Sequence, residues 1–72
     1  MGEPKLRILI IERMLSKDGI TVKQIIEKLE KNYNITAKRR TIYDDLNVLS
    51  FFYPIVQQRK GSTTVYILES ED

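Results

Sequence analysis

The chain has no cysteine and no histidine. The first absence removes disulfides, thiol nucleophiles and the sulfur ligands of structural zinc. The second removes imidazole acid–base chemistry and the other usual zinc ligand. Long apolar runs are missing as well: none exceeds four residues, as in residues 8 to 11. That is far short of the ~20 needed to cross a bilayer and too short for the apolar part of a secretory leader. No internal repeat or low-complexity stretch is present. With 72 residues, the chain is expected to form one domain with a thin core and no room for a cofactor fold. No cofactor or metal is expected. An enzyme is disfavoured, because a substrate pocket would consume so small a core and no nucleophile–base pair stands out.

What is present favours folding. Hydrophobic residues make up 42% and charged residues 31%, with both signs interspersed, unlike a disordered acidic or basic tail. The net charge of +2 hides an uneven distribution. Residues 31 to 43 carry four cations (Lys31, Lys38, Arg39, Arg40) and no acid, and residues 51 to 62 carry Arg59 and Lys60 and no acid. Three acids fall in residues 69 to 72, a tail expected to be disordered. Without them, 12 basic residues face 7 acidic ones, a balance of +5. A polyanion-facing surface is therefore compatible with the near-neutral total.

The pattern along the chain predicts three helices and a hairpin. Residues 5 to 16 form the first helix, with Pro4 suited to its first position and Glu3 to its positive dipole end. Its apolar residues fall on two adjoining stripes (Leu6, Leu9, Ile10, Met14 and Ile8, Ile11, Leu15), wider than one amphipathic face requires. Either two sides of this helix are buried or a strip is left for a partner. Gly19 is the candidate left-handed residue of the "SKDG" stop. Residues 21 to 31 form the second helix, with Thr21 and Gln24 in a capping-box pattern and Val22, Ile25, Ile26 and Leu29 on one stripe. "KNYNIT" is the turn, and Ile35 within it closes the core.

The third helix spans about residues 38 to 50, with Ile42, Leu46 and Leu49 inward and Arg39, Arg40, Tyr43, Asp44 and Asn47 mostly outward. Cations in its first turn oppose the helix dipole, which hints that they serve something outside the chain. After Pro54 the periodicity becomes alternating. "IVQQ" and "TVYIL" flank "RKGST", predicting a β-hairpin over residues 55 to 68 with Gly61 in a tight turn. Ile55, Tyr66 and Leu68 are expected on its inward face, with Val65 and Ile67 opposite and partly covered.

Three short helices followed by a basic hairpin is the order of a winged helix-turn-helix, an α+β fold. Over nearly its whole length the chain resembles the winged-helix DNA-binding domains of bacterial and archaeal transcriptional regulators of the DeoR and WYL-regulator kind. "RRTIYDDLNVL" resembles their recognition-helix signature, "TVKQIIEKL" their second helix, and "YPIVQQRKGSTTVYIL" their wing. A weaker likeness runs to the DNA-binding domain that precedes biotin ligases. Two positions depart from the pattern. Lys38 stands where relatives commonly have a capping Ser, so Thr36 is a substitute cap slightly earlier. Asp44 stands where relatives often have Arg.

The resemblance implies a cytoplasmic protein that binds double-stranded DNA, with the third helix in the major groove. Cysteine-free composition is compatible with that location. Arg39 and Arg40 suit bidentate recognition of guanine or a clamp on phosphate. Lys38 adds a third cation. Thr41 and Tyr43 offer hydroxyls to phosphates, and Asn47 suits adenine or the backbone. At the wing, Arg59, Lys60, Ser62 and Thr63 are candidate contacts to phosphates or the minor groove, adding affinity and salt dependence more than choice. Lys23 and Lys28 are further candidates on the second helix.

Asp44 lies i+4 from Arg40, the spacing of a surface ion pair, or accepts from cytosine N4. Either use brings repulsion from phosphates, so only modest non-specific affinity is expected. Asp45 lies too far along the helix to pair with Arg39 or Arg40. It is expected to brace another element, as the resemblance also implies. Palindrome readers usually act as dimers, so a homodimer through the first helix or chain ends is expected, or else a C-terminal effector domain. The competing reading is a winged-helix module for protein–protein interaction or oligomerisation that never reads DNA. No membrane partner is expected.

Overall fold

The computed structural model describes residues 4–69. Three helices, α1 (Pro4–Met14), α2 (Val22–Tyr33) and α3 (Arg39–Leu49), precede an antiparallel hairpin of β1 (Ile55–Lys60) and β2 (Thr63–Leu68). This is the α+β layout of a winged helix. Glu3 and residues 70–72 of the acidic tail lie outside the described residues. The Glu69 amide donates to the Pro54 carbonyl at 2.9 Å.

α1 begins at Pro4, one residue before the predicted start, and ends at Met14, two residues before the predicted end. The Leu15 amide already bonds only three residues back, to the Glu12 carbonyl at 3.3 Å, and Ser16 then turns the chain. Its hydroxyl accepts from the Asp18 amide at 3.2 Å, and its carbonyl accepts from Leu68 of β2 at 3.0 Å. Local turn chemistry and a tertiary strand contact thus claim the groups that another helical turn would need. Ile20 continues this attachment through a two-way backbone bridge with Tyr66, at 3.0 and 2.8 Å. β2 is consequently paired on one side with β1 and tied on the other to the α1–α2 loop.

Gly19, at φ +87°, makes that docking possible. A Cβ there would lie 2.3 Å from Val65 Cγ1 and 3.1 Å from Ile67 Cγ1. The half-buried Val65 and Ile67 are therefore covered by this loop. At the other end of β2, Lys60 pairs with Thr63 across a two-residue turn. Gly61 has φ +65° there and Ser62 does not share the positive φ, the pattern of a type II′ turn.

The capping box on α2 is complete. The Gln24 amide donates to Thr21 Oγ1 at 3.1 Å and the Thr21 amide to Gln24 Oε1 at 3.0 Å. α2 runs two residues past its predicted end to Tyr33. Asn34 then adopts the left-handed conformation (φ 57°, ψ 36°) that Asn tolerates better than most residues. That reversal lets the Ile35 amide reach back to the Leu29 carbonyl at 3.0 Å.

Ile11 of α1, Ile25 and Leu29 of α2 and Ile42 of α3 are the largest fully buried side chains. Leu46 and Leu49 complete the α3 face, Ile35 closes the core from the turn, and Tyr66 anchors the wing. Ile55 and Leu68, paired across the hairpin, pack on the same core. α1 is not buried on two sides: Ile10, Ile11 and Leu15 face the core, whereas Leu6 and Leu9 are half exposed. Its stripes split because the remaining elements cover only one flank of the helix.

One buried charge is built into this frame. Asp45, 4% exposed, accepts from Arg7 Nε at 2.5 Å and Arg7 Nη2 at 3.0 Å. The bidentate pair joins α3 to α1 and fulfils the bracing expected of Asp45. The hydrogen bond to Asp45 raises the Arg7 pKa above its ordinary value, outweighing the lowering effect of burial. A second cross-link runs from the Tyr53 hydroxyl, which donates to the Glu12 carboxylate. That bond raises the Tyr53 pKa as well.

Candidate nucleic-acid interface

The start of α3 differs from the start of α2 in one chemical respect. Lys38 occupies the cap position with the extended backbone a cap requires (φ −93°, ψ 162°), but no side chain accepts from the first turn. Thr36 does not substitute for it, because the cap position falls two residues later. The leading amides of α3 therefore lack a side-chain acceptor, and Lys38, Arg39 and Arg40 are all exposed around them. A helix start carries partial positive charge, so the three cations add to the field instead of offsetting it.

The wing brings further candidates toward this end of α3. A cleft of about 560 Å³ lies between the α2 start, α3 and the hairpin. Arg39 and Tyr43 line it from α3, Ser62 and Thr63 from the wing, and Lys23 and Glu27 from α2. On the other flank of α3, a groove of about 330 Å³ is lined by Tyr43, Asp44 and Asn47 facing Gln57 of β1. Tyr66 forms part of both walls. Burial, and secondarily the neighbouring Tyr43, raises its pKa.

The other predicted residues lie outside these two hollows. Lys38 and Arg40 are exposed at the helix start, and Thr41 is half-buried. Arg59 is exposed and shares its strand face with Ile55 and Gln57, whereas Lys60 falls on the opposite face by strand alternation. Lys28 borders a separate hollow on α2 with Glu27, Glu30 and Lys31. The Arg40–Asp44 pair that the spacing allows is absent: among the described residues, ion pairing is confined to Arg7 and Asp45. At exposed i, i+4 positions with the cation first, a pair gains too little to immobilise two side chains. Asp44 thus presents an unpaired carboxylate to the groove.

Gln57 and Thr64 join the clefts without having been singled out by sequence. The alternation that placed Ile55 inward also puts Gln57 on the α3 side, but a Gln in a strand carries no signal of its own. Chemically, the surface combines guanidinium, ammonium, hydroxyl and amide donors at one end of α3 with two carboxylate acceptors, Glu27 in the same cleft and Asp44 farther along α3. No family model, no curated protein and no solved structure matches the chain.

Proposed function

We propose that this chain binds double-stranded DNA sequence-specifically, as a transcriptional regulator or as the DNA-binding part of one. α3 enters the major groove, and the wing lies on the adjacent backbone or minor groove. The observation that carries this reading is the uncapped start of α3, where Lys38, Arg39 and Arg40 are exposed together. Cations at that position cost about 0.3–1 kcal/mol each through the helix dipole, while the same chain caps α2 fully. A polyanion turns this local cost into binding energy, because phosphates accept from both the free amides and the cations.

Arg39 and Arg40 supply guanine or phosphate contacts, and Asn47 and Asp44 present amide and carboxylate groups to bases one to two turns later. Ser62, Thr63, Arg59 and Lys60 extend the contact to the backbone. The likeness of "RRTIYDDLNVL" to a DeoR-type or WYL-regulator recognition helix supports the same reading, as does the winged-helix layout. A cytoplasmic location follows from it. No helix among the described residues is long and apolar enough to cross a membrane.

Selection from a random duplex library tests the proposal. An enriched motif that binds the wild-type chain better than scrambled duplex supports it, and recovery of unenriched sequence after repeated rounds contradicts it. A second reading, a winged-helix module for protein association alone, is favoured by Asp44 on the α3 surface and by the exposed Phe51 and Phe52. It requires no duplex binding at any salt concentration.

A further inference from the structure

Binding of a polyanion by α3 does not require an acid on its outer face, yet Asp44 stands there exposed and unpaired. Its place on the helix is specific. Arg40, Asp44 and Asn47 are spaced i, i+4, i+7 and form one exposed stripe. Asp44 lies about 6 Å along the helix axis from Arg40, so the two address different parts of a duplex. Arg39 and Tyr43 form the adjoining stripe and line the larger cleft.

The two flanks of α3 differ in charge. The larger cleft holds Arg39 and Lys23 against Glu27. The groove that holds Asp44 has no cation in its lining, and its other polar groups include the amides of Asn47 and Gln57. A phosphate there meets a carboxylate without a compensating cation and is repelled. A base edge is uncharged and carries donors as well as acceptors, so it suits this groove where a phosphate does not.

The carboxylate also chooses among bases. When ionised it accepts hydrogen bonds and donates none. Guanine presents N7 and O6 acceptors in the major groove, and thymine presents O4. Adenine donates through N6, but acceptors flank that group on both sides, its own N7 and the O4 of its thymine partner. Cytosine donates through N4 with a single flanking acceptor, the O6 of its guanine partner. Cytosine is therefore the base that repels an acceptor-only side chain least.

We infer that Asp44 is a specificity-determining residue that fixes a C·G pair in the bound site, its carboxylate accepting from the cytosine N4 amino group. The inference rests on the DNA-binding reading and assigns that reading one base. Asp44 acts by exclusion as much as by attraction, because every other base sets an additional acceptor against it. Arg40, one turn earlier on the same stripe, supplies the attraction to the duplex that Asp44 lacks.

Selection from a random duplex library with wild type, Asp44→Ala and Asp44→Asn locates the pair. The wild-type motif is expected to hold a C·G pair whose replacement weakens binding roughly 5- to 100-fold. Asp44→Ala is expected to accept every pair there within about twofold and to keep the rest of the motif. Asp44→Asn is expected to move the position to adenine, which an amide bonds at both N6 and N7. Fluorescence anisotropy then isolates the atom, using a duplex in which that cytosine is replaced by pyrimidin-2-one, the same ring without the 4-amino group. Wild type is expected to lose at least about fivefold in affinity on this change, and Asp44→Ala less than about twofold. A motif that Asp44→Ala leaves unchanged overturns the inference, even where affinity rises for all duplexes alike, since that is repulsion alone. So does cytosine retained by Asp44→Asn, or an equal loss in wild type and Asp44→Ala when the amino group is removed. Absence of any enriched wild-type motif contradicts the DNA-binding reading itself, whereas a motif insensitive to Asp44 overturns only the assignment of cytosine.

Discussion

At the scale of single residues, adjacent aspartates on α3 have opposite environments. Asp45 is buried against Arg7, whereas Asp44 is exposed and unpaired. Removing Arg7 strands a buried carboxylate, while removing Asp45 leaves a guanidinium whose side chain is already 17% exposed and can turn to water. Arg7→Ala is therefore expected to cost about 2 kcal/mol, below the 3–5 of a fully buried pair, and Asp45→Ala somewhat less. Urea denaturation of both variants checks the order. Asp44 carries no comparable structural role, so Asp44→Ala is expected to leave stability within about 0.5 kcal/mol of wild type. Loss of its repulsion from phosphates is expected to raise affinity for random duplex about threefold while narrowing the margin for the selected site. Unchanged random-duplex affinity would remove Asp44 as a filter.

At the scale of elements, what could be read from sequence was local. The Thr21–Gln24 box, the Val22, Ile25 and Leu29 stripe, the Ile42, Leu46 and Leu49 face and the Gly61 turn are set by neighbours within one or two turns, and each appears as expected. The misses are tertiary. Ser16 lies outside α1, and its carbonyl accepts from Leu68, far along the chain. Asp45 could be read as a brace, but its partner 38 residues away could not. The residues proposed for DNA were legible as a basic helix start and a basic wing; Gln57 entered the groove through strand register, which a Gln does not advertise. An exposed Phe pair is equally silent, because composition does not say which side of a turn faces water.

Two predictions belong at this scale. Lys38 already has the backbone of a cap, so Lys38→Ser is expected to stabilise the fold by about 1 kcal/mol and to weaken duplex binding. Melting temperature and a mobility shift together check that trade. Gly19→Ala is expected to cost about 2–3 kcal/mol, since it meets Val65 in addition to adopting positive φ. Gly61→Ala, facing open space at φ +65°, is expected to cost about 1 kcal/mol. Thermal melts of the two variants distinguish a loop that docks the wing from a turn that merely reverses it.

At the scale of the whole molecule, charge is sorted between the ends of α3. The N-terminal end gathers Lys38, Arg39 and Arg40, with Lys23 and the wing nearby, and the other end leads into an uncharged turn displaying Phe51 and Phe52. A small chain with one thin core leaves much of its surface available for contacts, and here two surfaces of different chemistry lie apart. The proposed role of the basic end is DNA binding.

The basic end is the central claim, and the salt dependence of duplex binding by fluorescence anisotropy tests it most directly. Wild-type chain and the Arg39→Ala, Arg40→Ala double variant are compared on a selected site at about 50 and 200 mM salt. With about four phosphates neutralised, wild-type affinity is expected to fall roughly 100-fold between the two conditions. The double variant is expected to bind at least ~10-fold more weakly at the lower salt, with a shallower slope. Equal, weak binding by both proteins at both salt concentrations would contradict the account.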